Sequence, residues 1–96
     1  MAGFFFMVIA KQITVIGRVQ GVYFRASTVE MAQQLSVSGE VKNLPDGNVW
    51  IAAEGESDQM EKFLTWCRQG PPGARVEELK IEDSPIKGYA GFTISR

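Results

Sequence analysis

The chemically informative segment of this chain is Gly17-Arg18-Val19-Gln20-Gly21-Val22-Tyr23-Phe24-Arg25. It runs from the end of a predicted strand, through a glycine-containing loop, into a predicted helix. Such a junction offers unpaired backbone N–H groups and the positive end of a helix dipole, and both attract an anion. Gly21 has no Cβ, so the backbone there can approach an anion closely or adopt positive φ. Arg25 falls in the first helical turn, where a cation opposes the dipole. An anion seated between them reconciles the two, and the guanidinium fork can hold two phosphate oxygens at once. A plain strand-to-helix turn with a surface arginine fits the local pattern equally well. Two other phosphate loops are excluded. No Gly-Lys-Ser/Thr follows, and the third glycine of a dinucleotide fingerprint is missing.

The rest of the inventory narrows the chemistry by exclusion. The chain has no histidine and one cysteine, Cys67. Ser–His–Asp and Cys–His catalysis, a histidine zinc site and an internal disulfide are therefore ruled out. Lysine and arginine number 10 against 11 aspartates and glutamates, so net charge −1 gives no general attraction to nucleic acid or an anionic membrane. The most apolar run, Phe4 to Ala10, is seven residues long, far short of the ~20 that a membrane span needs. No basic residue precedes that run, and Lys11 and Gln12 follow where a signal cleavage site would require small residues. With a lone cysteine suited to a reducing compartment, the expected location is the cytoplasm. Residues 1–7 read as a frayed N-terminal extension or as the start of the first strand, with Met7 an alternative native start.

The elements that must position these groups follow from periodicity. Val8 to Ile16 is dense in β-branched residues and apolar on both parities, the pattern of a central strand. From Phe24 to Val37, Ala26, Val29, Ala32 and Leu35 recur at helical spacing, and Gly39 is the expected stop. Val41–Leu44 and Asn48–Glu54 predict two strands joined by the turn Pro45-Asp46-Gly47. In the second of them Val49, Ile51 and Ala53 share one face, while Trp50, Ala52 and Glu54 share the other. Ser57 is the expected N-cap of a second helix, with Asp58 and Glu61 at its positive end. Met60, Phe63, Leu64 and Cys67 form its buried stripe, and Gly70-Pro71-Pro72-Gly73 ends it.

Arg75–Glu82 and Tyr89–Ser95 predict two last strands. Val76 is out of phase with Leu79 and Ile81, which calls for a bulge or a late strand start. The order βαββαβ plus a short final strand, with right-handed crossovers, gives one α+β domain over residues 1–96. Its architecture is a ferredoxin-like sandwich: a four-stranded antiparallel sheet plus a short fifth strand, with two helices on one face. Cys67, Trp50 and Trp66 read as packing residues, and Glu77, Glu78, Glu82 and Asp83 as a solvated edge rather than a metal site.

Residues 17–25 resemble the first signature of the acylphosphatase family. Gly39-Glu40-Val41-Lys42-Asn43-Leu44-Pro45-Asp46-Gly47-Asn48-Val49, with Gly55 beyond it, resembles the second. Gly70 to Val76 and Phe92 to Arg96 are also similar to family features, so the likeness spans residues 8–96. It implies that Arg25 binds the substrate phosphate, that backbone amides of Gln20, Gly21, Val22, Tyr23 and Phe24 cradle its oxygens, and that Asn43 positions the attacking water. The implied reaction is hydrolysis of the carboxyl–phosphate bond of a small acyl phosphate, with no metal, no cofactor and no covalent intermediate. No nucleic-acid or membrane partner is implied, and a chain of this size is expected to be a monomer.

That chemistry suits a protein without imidazole. A carboxylate leaves without being protonated, so the protein has mainly to position water and stabilise charge on the phosphoryl oxygens. Asn43 can hold water but is a poor base, and the proton is expected to pass to the substrate's own phosphate. One residue departs from the family pattern: Glu40 stands where an aromatic is usual, a position read as packing. Two other functions fit parts of the sequence. A non-catalytic anion-binding or regulatory module can share this fold, although the joint presence of Arg25 and Asn43 favours catalysis. Lys87-Gly88-Tyr89-Ala90-Gly91-Phe92 has a superficial likeness to an RNA-binding strand motif, but it carries an extra glycine and follows the fourth main strand.

Overall fold

In the computed structural model, which describes residues 7–95, the chain runs β1 (Val8–Arg18), α1 (Phe24–Gln34), β2 (Ser38–Asn43), β3 (Val49–Glu56), α2 (Ser57–Gln69), β4 (Arg75–Asp83) and β5 (Phe92–Ile94). The strand order is β4-β1-β3-β2-β5. The first four strands pair antiparallel, and β5 adds to β2 in parallel. The doubly apolar β1 accordingly has a neighbour on each side. Ile13 and Val15 of β1, Val41 of β2, Val49, Ile51 and Ala53 of β3, and Phe92 of β5 form the sheet's share of the core. Phe24 and Ala32 of α1 and Met60, Phe63 and Cys67 of α2 close it from the helix layer. Phe63 lies 6.5 Å from the Trp66 ring and 6.0 Å from Phe92, so the aromatic cluster ties α2 to β5. Leu64 is only half-buried. Burial pushes the Cys67 thiol well above its ordinary range, which leaves it no nucleophilic role.

Several boundaries differ from the sequence expectation, each for a local reason. The first helix ends at Gln34, not Val37, and Gly39 does not stop it. Ser36 takes the left-handed conformation, φ 56°, while Val37 N–H donates to Ala32 O at 2.8 Å and Ser36 N–H to Gln33 O at 3.3 Å. This is a Schellman closure built on serine instead of glycine. β2 consequently starts at Ser38 and includes Gly39, whose Cβ would stand 1.8 Å from the Ala52 carbonyl oxygen. Glycine there serves close strand pairing. Ser57 is the first residue of α2 rather than its cap; Glu56 precedes it, and among the described residues no side chain caps the helix.

The expected bulge is present. Ile16 pairs with Glu78 and Gly17 with Val76, leaving Glu77 as the extra residue. Gly17 has φ 143°, and a Cβ on it would lie 2.1 Å from Arg75 O. The last strand is three residues, not the expected seven from Tyr89 to Ser95. Glu54 draws the preceding loop onto itself: its carboxylate accepts the amides of Lys87, Gly88 and Tyr89 at 2.6, 3.1 and 3.3 Å. Glu77, Glu78, Glu82 and Asp83 are exposed along β4, and Lys11 pairs with Asp83. Residues 1–6 of the expected frayed extension lie outside the described residues; Met7 precedes β1 and is exposed.

Glu40 does not pack as an aromatic would. It accepts a hydrogen bond from the Tyr89 hydroxyl at 2.7 Å, which fastens the same loop over the sheet. That bond is the main reason its carboxyl is held below the usual carboxylate range. Burial first and Glu40 second push the Tyr89 hydroxyl up to about 12. The depressed acid stabilises the fold above its unfolded value of 4.5 and ceases to do so as pH falls through its folded value. The raised phenol contributes fully below 10.0 and is lost as pH rises through about 12. Tyr89→Phe is therefore expected to flatten both limbs of a melting temperature–pH curve. Limbs identical to those of the parent protein would refute the link.

Candidate active site

After the bulge at Gly17, β1 ends at Arg18, and the segment from Val19 to Tyr23 leads into α1. Val19 is buried and pins this loop to the core. Gly21 has φ 75°, which only glycine adopts freely. Tyr23, the residue before the helix, also takes the left-handed conformation at φ 61° and ψ 28°, although it is bulky and exposed. Left-handed residues at such a junction aim successive N–H groups into a shared concavity. Among the described residues no side chain caps α1, and its first turn has no acidic residue. Its positive end is thus left for an external anion.

Asn43 ends β2, opposite Val49 of β3. The hairpin beyond it is closed by hydrogen bonds. Asp46 accepts from Asn48 N–H at 3.0 Å and from its side-chain amide at 3.1 Å, while Leu44 N–H donates to Asn48 O at 2.8 Å. Gln20 joins this hairpin to the loop after β1. Its Nε2 donates to both Leu44 O and Asn48 O at 2.8 Å. The sequence reading assigned Gln20 only a backbone role, and nothing local distinguishes a glutamine whose partners lie across the fold.

A cavity of about 380 Å³ opens where the two segments meet, within the size range of small-ligand sites. Gln20, Gly21, Tyr23, Phe24, Arg25 and Asn43 all line it, together with buried Val19 and exposed Ala26. Val22 does not line it; its side chain packs against the core. Ile94 of β5, absent from the sequence-based set, forms part of the wall. An adjoining hollow of about 570 Å³ shares Arg25, Asn43 and Ile94 and extends to Ser95. The site thus combines a guanidinium, a helix N-terminus and a carboxamide that can both donate to and accept from water. Such a set can hold a tetrahedral oxyanion and orient a water beside it.

The family model described as acylphosphatase matches residues 11–94. An acylphosphatase of Rubrobacter xylanophilus is 50% identical over 84 residues, covering 86% of this chain and 76% of that protein. One from Aeropyrum pernix is 50% identical over 88 residues, with 90% and 87% covered. Among solved structures, an acylphosphatase from Coxiella burnetii superposes with a TM-score of 0.89 at 36% identity, covering 92% of this chain and 93% of that one.

Proposed function

This chain belongs to the acylphosphatase family and hydrolyses the carboxyl–phosphate bond of acyl phosphates, and from that premise we propose how its residues divide the work. Arg25 grips two phosphoryl oxygens, and the amides of Gln20 to Phe24 cradle the same group. Asn43 holds the attacking water. As the water oxygen bonds to phosphorus, the bond to the carboxyl oxygen breaks, and the carboxylate departs with its electron pair. The water's proton ends on the phosphate released. Charge accumulating on the equatorial oxygens meets donors already in place, the arrangement that lowers a phosphoryl-transfer barrier most. No step requires a metal.

The observation that supports this division is that Arg25, Asn43 and the loop residues Gln20, Gly21, Tyr23 and Phe24 line one cavity. A non-catalytic anion-binding role is not favoured, given relatives named acylphosphatase across most of the chain. Titration with inorganic phosphate, followed by amide NMR, tests the cradle. The largest shifts are expected at residues 20–25, and shifts centred elsewhere would displace it. Phosphate release from benzoyl phosphate is expected to be unchanged by EDTA; loss on chelation would overturn the metal-free scheme.

A further inference from the structure

We infer that Tyr23 and Ile94 form an apolar platform for the acyl group, so that the enzyme favours acyl phosphates with aromatic or branched apolar acyl groups over short ones. The inference rests on the phosphate position proposed above. Five large hydrophobic side chains stand exposed among the described residues: Met7, Val8, Tyr23, Ile86 and Ile94. Two of these, Tyr23 at 84% and Ile94 at 46%, line the cavity of Arg25 and Asn43. Met7 and Val8 lie at the start of the eleven-residue β1, roughly 33 Å of strand away from its site end.

Core packing does not account for these two side chains. Their cavity neighbours Val19 and Phe24 are 1% and 2% exposed and belong to the core. Tyr23 instead holds a bulky ring outward from a left-handed backbone, a conformation glycine or asparagine adopts with less strain. Ile94 is fixed by pairing with Val41 and by the bond from Ser95 N–H to Val41 O at 2.9 Å. With the phosphoryl oxygens at Arg25 and the loop amides, the acyl carbon must project away from the polar wall. Ile94 borders both hollows. A ring or branched chain laid on it removes apolar surface from water, whereas a methyl group covers little.

The measurement is the ratio of kcat/KM for benzoyl phosphate to that for acetyl phosphate, compared between parent and variants so that intrinsic reactivity cancels. Tyr23→Asn keeps a residue suited to the left-handed backbone, and Ile94→Thr keeps a β-branched strand residue. Each is expected to lower the ratio about three- to tenfold, at or below the lower end of the cost of losing one apolar contact in an enclosed pocket, as suits an open platform. A second arm needs no variant: benzoate is expected to inhibit the parent enzyme at about tenfold lower concentration than acetate. An unchanged ratio in both variants, or equal inhibition by the two carboxylates, overturns the platform while leaving the phosphate cradle intact. Undiminished hydrolysis of both substrates by Arg25→Ala would instead remove the cradle, and the platform with it.

Discussion

Arg25→Ala is expected to lower kcat/KM for benzoyl phosphate by about 10²–10³-fold, the usual cost of deleting one preorganised donor to a developing oxyanion. Inhibition by inorganic phosphate should weaken with it, because in the proposed arrangement the guanidinium holds the phosphoryl group in both ground and transition states. Arg25→Lys should recover only part of the loss, since an ammonium keeps the charge but not the two-pronged geometry. Stability should move the other way. Arg25 lies in the first turn of α1, which has no acidic residue and, among the described residues, no side-chain cap. Removing a cation from that end relieves about 0.3–1 kcal/mol of opposition to the helix dipole. A variant slightly more stable yet nearly inactive would mark an arginine kept for its ligand. Asn43→Ala should divide differently: kcat falls while phosphate inhibition stays close to the parent value, as for a residue that holds water. Arg25→Ala retaining full activity in folded protein would sink the assignment.

Much of this arrangement was legible in the sequence, because periodicity and turn chemistry are local. β1 revealed its central place through apolar residues on both parities, and α2 through the stripe from Met60 to Cys67. Val76 betrayed the bulge by breaking phase, one residue before the extra Glu77. What escaped depends on partners distant in the chain. Gly39 looked like a helix stop, but its missing side chain answers to Ala52 across the sheet, and Ser36 closes the helix. Gln20 reaches Leu44 and Asn48. Ile94 enters the site only because β5 adds to β2. For the site itself, the local pattern around Arg25 left an anion pocket and a plain turn equally open. Asn43 joined the set through the family resemblance, and the fold brings its strand end beside the loop.

Glu54 illustrates the same limit and carries the second large expectation. In the sequence it is the last of three residues, with Trp50 and Ala52, that share one face of the strand. In the fold it is 5% exposed, and its carboxylate accepts three successive amides, those of Lys87, Gly88 and Tyr89. Its cross-strand neighbours are Ala10 and Ser38, small enough to let the loop settle onto the sheet. Gly88, at φ 79°, provides the turn that points the amides inward. Glu54→Ala would leave those donors short of an acceptor and open a void beneath the loop. Each hydrogen bond to a charged group contributes about 1.5–3 kcal/mol, and neighbouring bonds do not add fully, so a loss of about 3 kcal/mol is expected. Urea unfolding should show this as a lower midpoint at unchanged slope. Glu54→Gln, which keeps one acceptor oxygen but turns an NH₂ toward the loop, should fall between the two. The loop leads directly into β5, so Glu54→Ala should also loosen Ile94 and alter acyl-group selectivity, while the loop from Gln20 to Phe24, anchored by Val19 and by Gln20 on the hairpin, keeps its phosphate affinity. A stability loss below about 1 kcal/mol, the value of an ordinary neutral hydrogen bond, would show that water replaces the carboxylate and that the loop does not depend on it.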